Sequence, residues 1–195
     1  MTRIAHIGPA TLPIGYSFGG AVERRMIELA AAQLYRGDDV LVVSLRPDQA
    51  ELRSEGPAPA VPILDIACRT RRPLRDIELL LRARCGIRNF APDVVHVHNS
   101  PAAALCLAGL PAAKVLTFDF FPYRGAECPV VKAAYRRALK SFDLLMLVSN
   151  FCAREAAEYW SFPLADYRVL PNGVNVEQFS PDDSRRVAAG QRYDE

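Results

Sequence analysis

PIGYSFGGAVERRMIELAAAQLYRGDDVLVVS, from Pro13 to Ser44, sets a glycine pair, a helical pattern and a strand pattern in direct succession. Val22, Met26, Leu29, Ala30 and Leu34 recur at helical spacing, with Glu23, Arg24, Arg25, Glu28 and Arg36 placed elsewhere around the helix. Gly37 is positioned to end that helix as a C-terminal cap. The run DVLVVSL, Asp39 to Leu45, then reads as a buried strand. Gly19 and Gly20 stand where a loop ends and the helix begins.

The same alternation extends in both directions. Arg3 to Gly8 reads as a strand before the loop, and Pro47 to Pro62 as a proline-rich loop after the second strand. Further strands are expected at Ile63–Ala67, Asp93–His98, Lys114–Phe118, Leu144–Val148 and Tyr167–Leu170. Helices are expected between them: one marked by Leu74, Ile77, Leu81 and Cys85, a short one over Pro101–Leu107, then Pro129–Lys140 and Asn150–Tyr159. Strands apolar on both faces, alternating with amphipathic helices, imply an α/β, doubly wound, mostly parallel Rossmann-like sheet with helices on both faces. Such sheets bind ligands outside the carboxyl ends of their strands. The glycine pair lies at that rim, where free backbone N–H groups and the helix dipole favour an anion, and where glycine permits close approach. Alternatively the glycines only close a turn, and their spacing alone leaves both readings open. The loop from Gly8 to Gly19 is too long for a G-x-G-x-x-G fingerprint, and the second strand ends VVSLR without an acidic residue, which argues against a nicotinamide dehydrogenase.

Composition narrows the class. A chain of 195 residues is long enough for one domain with a full core. It is 50% hydrophobic and 24% charged, with a formal net charge of +2, which gives no sign of a nucleic-acid partner. Cys68, Cys85, Cys106, Cys128 and Cys152 are odd in number and form no C-x-x-C pair, so reduced thiols in a cytoplasmic protein are expected, mostly as small core residues. The N-terminus lacks the apolar run of a signal peptide, and the run from Pro101 to Ala113 is too short to span a bilayer.

Four stretches resemble family 4 retaining glycosyltransferases, which have the GT-B fold. GGAVERRMIELAAAQLYRGDDVLVVS is similar to the family's first helix and second strand, and PDVVHVHN (Pro92 to Asn99) to its D-V-V-H-x-H strand. DLLMLVSNFCAREAAEYW (Asp143 to Trp160) and RVLPNGVNVEQFSP (Arg168 to Pro181) resemble two later segments. The resemblance implies one half of a GT-B architecture: residues 1–180 as the N-terminal, acceptor-side domain, and 181–195 as a linker or remnant toward a missing C-terminal donor-binding domain. The implied activity is transfer of a sugar from a nucleotide-sugar donor to an acceptor, of hexosyltransferase type, with the isolated chain inactive. The implied substrates are the nucleotide sugar and a glycan, lipid-linked or small-molecule acceptor; no cofactor is implied. A different reading is a non-catalytic α/β binding module that pairs with a separate donor-binding chain.

By the same resemblance, Gly19 and Gly20 would approach the donor phosphates, and His98 and Asn99 would contact sugar hydroxyls. Ser149 and Asn150 lie at a later strand mouth, and Asn172 and Gly173 would shape the interdomain crossover. In LTFDF, Leu116 to Phe120, the family often carries a histidine where Phe118 stands, so His98 and Asp119 are the catalytic candidates. His6, His96 and His98 fall on neighbouring strands, an arrangement a zinc ion could use. No acidic partner accompanies them, so no metal is expected: His6 and His96 are read as buried and hydrogen-bonded, and His98 as nearest to ligand. Two basic groups remain, Arg69, Arg71, Arg72, Arg75, Arg82, Arg84 and Arg88, and Lys132, Arg136, Arg137 and Lys140. Each reads either as a solvated helix face or as a contact with an anionic membrane surface, which would place the protein peripherally at the inner face.

Overall fold

The structure, a computed structural model, describes residues 1–14, 20–46, 61–70, 74–100, 103–107, 109–119, 133, 136–160 and 167–173. Seven strands form one parallel sheet: β1 (Arg3–Ile7), β2 (Asp39–Leu45), β3 (Ile63–Ile66), β4 (Val94–His98), β5 (Ala113–Phe118), β6 (Leu144–Leu147) and β7 (Tyr167–Val169). Their order is β3-β2-β1-β4-β5-β6-β7, so the chain starts in the middle and reverses direction between β1 and β4. Every pairing is parallel. This is the doubly wound Rossmann-like sheet that the alternation implied, and it matches one half of a GT-B fold.

Strand alternation divides the core. Ala5 and Ile7, Val43 and Leu45, Val95 and Val97, Leu116 and Phe118, and Leu145 and Leu147 face one side. There they meet helix α2 (Leu74–Phe90), the short α3 (Ala103–Leu107), the helical residues 136–139, and α4 (Asn150–Trp160). On the other side, α1 (Ala21–Tyr35) lays Met26, Ile27, Ala30 and Ala31 over Val40, Val42, Ile14 and Val61. Burying each of the larger side chains contributes about 1.5–3 kcal/mol.

Two helix faces differ from the expected ones. On α1, Leu29 and Leu34 are half-buried, while Ile27, Ala31 and Glu23 are buried. On α2, Leu74, Leu81 and Cys85 face solvent and Leu79, Leu80, Ala83 and Ile87 form the inner face. Both sets in α2 fit a helical period. The inner one was obscured because it starts with Asp76, a polar residue that turns inward to accept the Ala10 N–H at 2.9 Å. The cysteines also differ from expectation: Cys85 is exposed, and Cys68, Cys106 and Cys152 are only half-buried at the core margin. Gly37 caps α1 as expected, at φ +86° with its N–H on the Leu34 carbonyl at 2.9 Å.

Asp93 and Asp143 tie down the amino edge, accepting the N–H groups of Arg3 at 2.8 Å and Lys114 at 2.7 Å. The carboxyl edge receives Gly20 at the start of α1, Asn99 after β4, Asp119 after β5, Ser149 after β6 and Asn172 after β7. No described helix is long and apolar enough to cross a membrane.

Candidate functional site at the carboxyl edge

Gly20 is the N-cap of α1, in extended backbone with φ −89° and ψ −173°. Any residue adopts that conformation, so positive φ is not what requires glycine here. A side chain here would meet Glu23: a Cβ at Gly20 would lie 2.8 Å from its Oε2, so the carboxylate would have to shift. Glu23 is buried and folds back to accept the Gly20 N–H at 2.9 Å. One donor of the expected phosphate cradle is thus taken by this chain's own carboxylate. Gly20 supplies no side-chain cap, which leaves the first-turn N–H groups of α1 as the donors facing the loop. Gly19 lies outside the described residues.

Next along the edge, Asn99 leaves β4 in a left-handed conformation, φ +50°. Asparagine tolerates this region better than most side chains. The turn directs its side-chain oxygen onto the Asp119 N–H at 2.9 Å, while its own N–H continues the ladder to the Thr117 carbonyl at 2.9 Å. Asp119, immediately past β5, forms an ion pair with Arg25 of α1. Burial pushes the Asp119 carboxyl up, and Arg25 opposes that shift. Its Oδ2 is buried without a hydrogen-bond partner among the described residues. Phe118, at the position where a histidine was sought, is 1% exposed and belongs to the core on the opposite face. Strand alternation explains this: Thr117 and Phe118 must point to opposite sides of the sheet.

On the side of the sheet that carries α1, the strands β1, β4 and β5 present polar side chains. His6 and His96 are register partners on β1 and β4, and His98 pairs in register with Thr117. His6 Nε2 meets Gln33 Oε1 at 2.6 Å, and His6 Nδ1 meets His98 Nε2 at 3.1 Å. With Gln33 accepting, Nε2 of His6 carries the proton and its Nδ1 is bare. Nε2–H of His98 then donates to it, which leaves Nδ1 of His98 as a lone pair without a partner among the described residues. His96 Nε2 bonds Thr117 Oγ1 at 2.6 Å. Burial, opposed by the Gln33 bond, holds His6 at about 4. His96 is held at about 3 by burial, then by His6 and Arg25. His98 is held well below its usual value by burial, then by His96, His6 and Arg25.

The candidate ligand atoms of these three histidines lie within 4.8 Å of one another. Their arrangement favours a hydrogen-bonded chain over a chelate. The rings of His96 and His98 stack at 4.1 Å with 29° between planes, and lone pairs lie in the ring planes, so the two do not converge on one point. An ion would also displace the bond between His6 and His98. His98 is fully buried and Asn99 is 3% exposed, so both act from below the rim rather than at its surface.

The remaining candidates are nearer solvent. Ser149 is half-buried, and its hydroxyl caps α4 by accepting the Cys152 N–H at 3.1 Å. Asn150, Asn172 and Gly173 are exposed. Reading the sequence missed Glu23, Arg25 and Gln33 as parts of this arrangement. Glu23 and Arg25 had been set apart from the apolar stripe, and only the tertiary placement of α1 sets Arg25 against Asp119 and Gln33 against His6. Of the basic groups, Arg82 pairs with Glu78 at 2.9 Å within α2, and Arg136, Arg137 and Lys140 are exposed together. Arg71, Arg72 and Lys132 lie outside the described residues.

Residues 18–178 match the family model described as Glycosyltransferase Family 4. Among solved structures, the fold resembles a glycosyltransferase from Rickettsia africae ESF-5 at 20% identity and a TM-score of 0.66, over 99% of this chain and 49% of that one. It also resembles Anabaena HepE, solved in complex with UDP-glucose, at 13% identity and a TM-score of 0.64, over 99% of this chain and 50% of that one. A UDP-N-acetylglucosamine 2-epimerase from Rickettsia bellii follows at 11% identity and 0.59, over 96% and 51%. At these identities the likeness speaks for the fold alone. The chain spans about half the length of these structures. No curated protein sequence gives a significant match. The family match runs from the loop before α1 to beyond β7, and the chain belongs to glycosyltransferase family 4.

Proposed function

We propose that this chain forms the acceptor-binding half of a retaining glycosyltransferase that moves a sugar from a nucleotide-sugar donor to an acceptor. A second Rossmann-like unit, on the same polypeptide or a partner chain, would supply the donor-binding half. The observation that carries the reading is the carboxyl edge of the sheet, where the first turn of α1, the Asn99–Asp119–Arg25 linkage and the exposed Asn172 and Gly173 lie along one rim. That is where an open α/β sheet binds ligand. The family membership supports sugar transfer as the chemistry, and the HepE complex with UDP-glucose supports a nucleotide sugar as donor.

In this reading the first turn of α1 offers N–H groups to charge that develops on the departing diphosphate. Asp119 and His98 act from beneath: Asp119 fixes Arg25 and the end of β5, and His98 fixes β1 against β4 under α1. They position the rim rather than touch the reacting atoms. The exposed Arg136, Arg137 and Lys140 are proposed to rest on an anionic membrane surface.

Amide chemical-shift mapping and donor turnover on the 195-residue chain test the proposal together. Acceptor sugars are expected to shift the amides of Gly20, Asp119 and Asn172, and the chain alone is expected to release no nucleoside diphosphate from UDP-glucose. Shifts confined to the amino edge, around Asp93 and Asp143, would overturn the placement. Turnover by the chain alone would overturn the need for a second half.

A further inference from the structure

An open cavity of about 470 Å³ lies at the carboxyl ends of β1, β2 and β3, lined by Thr11, Leu12, Pro13, Leu45, Arg46, Ala67, Cys68 and Arg75. Its volume suits a monosaccharide-sized ligand. Two cations share its wall. Arg46 follows β2 directly, its backbone N–H fixed to the Ile66 carbonyl at 2.9 Å and its side chain exposed. Arg75, in the first turn of α2, is anchored through Nε to the Thr70 carbonyl at 3.0 Å. Among the described residues neither guanidinium has a carboxylate partner.

The two described carboxylates that follow Arg75 on α2, Asp76 and Glu78, are already engaged. Asp76 accepts from the Ala10 N–H at 2.9 Å and from the Ser100 hydroxyl at 3.5 Å. Glu78 accepts the N–H groups of Arg69 and Thr70 and the Thr70 hydroxyl, and pairs with Arg82. The hydroxyl and backbone bonds from Thr70 and the Arg69 N–H hold it at about 2, so it remains ionised and tied down. Two like charges therefore line one open hollow without a carboxylate partner among the described residues. A phosphate ester fits this chemistry, because guanidinium groups bind its oxygens through paired, charge-assisted hydrogen bonds.

We infer that this cavity binds a phosphoryl group, and that the acceptor of the transfer is a phosphorylated sugar or polyol held through its phosphate by Arg46 and Arg75. The word acceptor rests on the function proposed above; anion capture by the cavity does not. The apolar wall of Leu12, Pro13 and Leu45 leaves the sugar ring to be held by shape, and the two arginines fix its orientation. Arg75 is anchored through Nε, whereas the Arg46 side chain is exposed and has no carboxylate partner among the described residues.

Calorimetric titration of the 195-residue chain with glucose 1-phosphate, glucose and inorganic phosphate tests this directly. Glucose 1-phosphate is expected to bind at least about tenfold more tightly than glucose, with an affinity that falls as salt rises. The double variant Arg46→Gln, Arg75→Gln is expected to lose about tenfold or more. Arg46→Gln alone, at an exposed side chain without a partner among the described residues, keeps the fold and still weakens binding. Equal affinity for glucose and glucose 1-phosphate, no binding of either, or unchanged affinity in the arginine variants would overturn the inference. Cys68 in the cavity wall locates the event: bound glucose 1-phosphate must slow its alkylation by iodoacetamide and leave the exposed Cys85 unaffected, and any other pattern overturns the placement. Vesicles of phosphatidylglycerol and phosphatidylcholine in equal parts separate the sources of the phosphate. Displacement of glucose 1-phosphate by vesicles supports a lipid-borne phosphate, and retention supports a soluble one. Binding without sugar transfer in any reconstituted complex would leave the cavity standing while removing the transferase reading.

Discussion

His6 Nδ1 lies 3.1 Å from His98 Nε2, and this contact joins β1 to β4 at the point where the strand order reverses. The bond requires His6 to be neutral, since a protonated His6 has no lone pair to offer. Burial in the folded chain holds the histidines below the value of 6.5 that they take in an unfolded chain: His6 at about 4 and His96 at about 3. The sign follows from linkage. The unfolded state binds more protons between those values, so stability is complete above pH 6.5 and declines as pH falls toward the folded values. Each histidine contributes a slope of about 1.4 kcal/mol per pH unit, and three together set an upper limit of about 4. Urea unfolding at a series of pH values from 7.5 down to about 5 should show the midpoint falling below pH 6.5, a window above ordinary carboxylate titration. A flat midpoint across it would show that the cluster is not held neutral.

The pairing of Arg25 with Asp119 predicts an asymmetry between its two halves. Asp119 is the more enclosed partner, with 7% of its side chain exposed against 18% for Arg25. Arg25→Met leaves a carboxylate stranded in a closed site, a loss on the order of 3 kcal/mol. Asp119→Asn leaves a guanidinium that can turn toward water, a smaller loss of about 1–2 kcal/mol. Arg25→Met should also raise the Asp119 carboxyl further, so that its stability deficit shrinks as pH is lowered into the carboxylate range. Equal losses in the two variants, with no pH dependence of the difference, would remove the argument from burial.

How much of this could be read from the chain depends on which interactions are local. The succession of strands along the chain, that of the helices among the described residues, and the Gly37 cap follow from patterns spanning a few residues, and these were readable. The inner face of α2 was not, because Asp76 breaks its apolar stripe in order to hold Ala10, 66 residues away. The edge was legible only in part. The rim position of Gly20, Asn99 and Asp119 follows from strand ends, whereas the pairing of Arg25 with Asp119 joins residues 94 apart. The contact of His98 with His6 likewise joins residues 92 apart, which periodicity within β4 does not reveal.

The exposed Arg136, Arg137 and Lys140 surround an open hollow of about 380 Å³ together with Ala133. If they rest on an anionic surface, the chain should sediment with phosphatidylglycerol vesicles and not with phosphatidylcholine ones. Each basic residue near such a surface contributes about 1 kcal/mol, so Arg136→Glu with Arg137→Glu should reduce binding by more than about tenfold. High salt should release the wild-type chain. Sedimentation that ignores lipid charge, or that survives the double substitution, would return these residues to a solvated helix face.

Glu23 and Gly20 form the most testable pair at the rim, because one contact links helix capping to ligand access. The Glu23 carboxylate both satisfies the Gly20 N–H and occupies the space where a Cβ would sit, 2.8 Å from its Oε2. Since φ at Gly20 is −89°, alanine is tolerated by the backbone and only the contact resists it. Gly20→Ala should therefore displace Glu23, expose an unsatisfied N–H and cost on the order of 1 kcal/mol. In a Glu23→Ala background the obstruction is gone, so the same substitution should cost little, and helix-capping preference alone would set the remainder. A double-mutant cycle is expected to show a coupling of about 0.5 kcal/mol or more. Amide exchange at residue 20 should rise in either single variant. Additive losses in the cycle would mean that Glu23 does not fill the space next to Gly20, and the glycine would then owe its place to something above the rim, such as a phosphate brought in by the donor half.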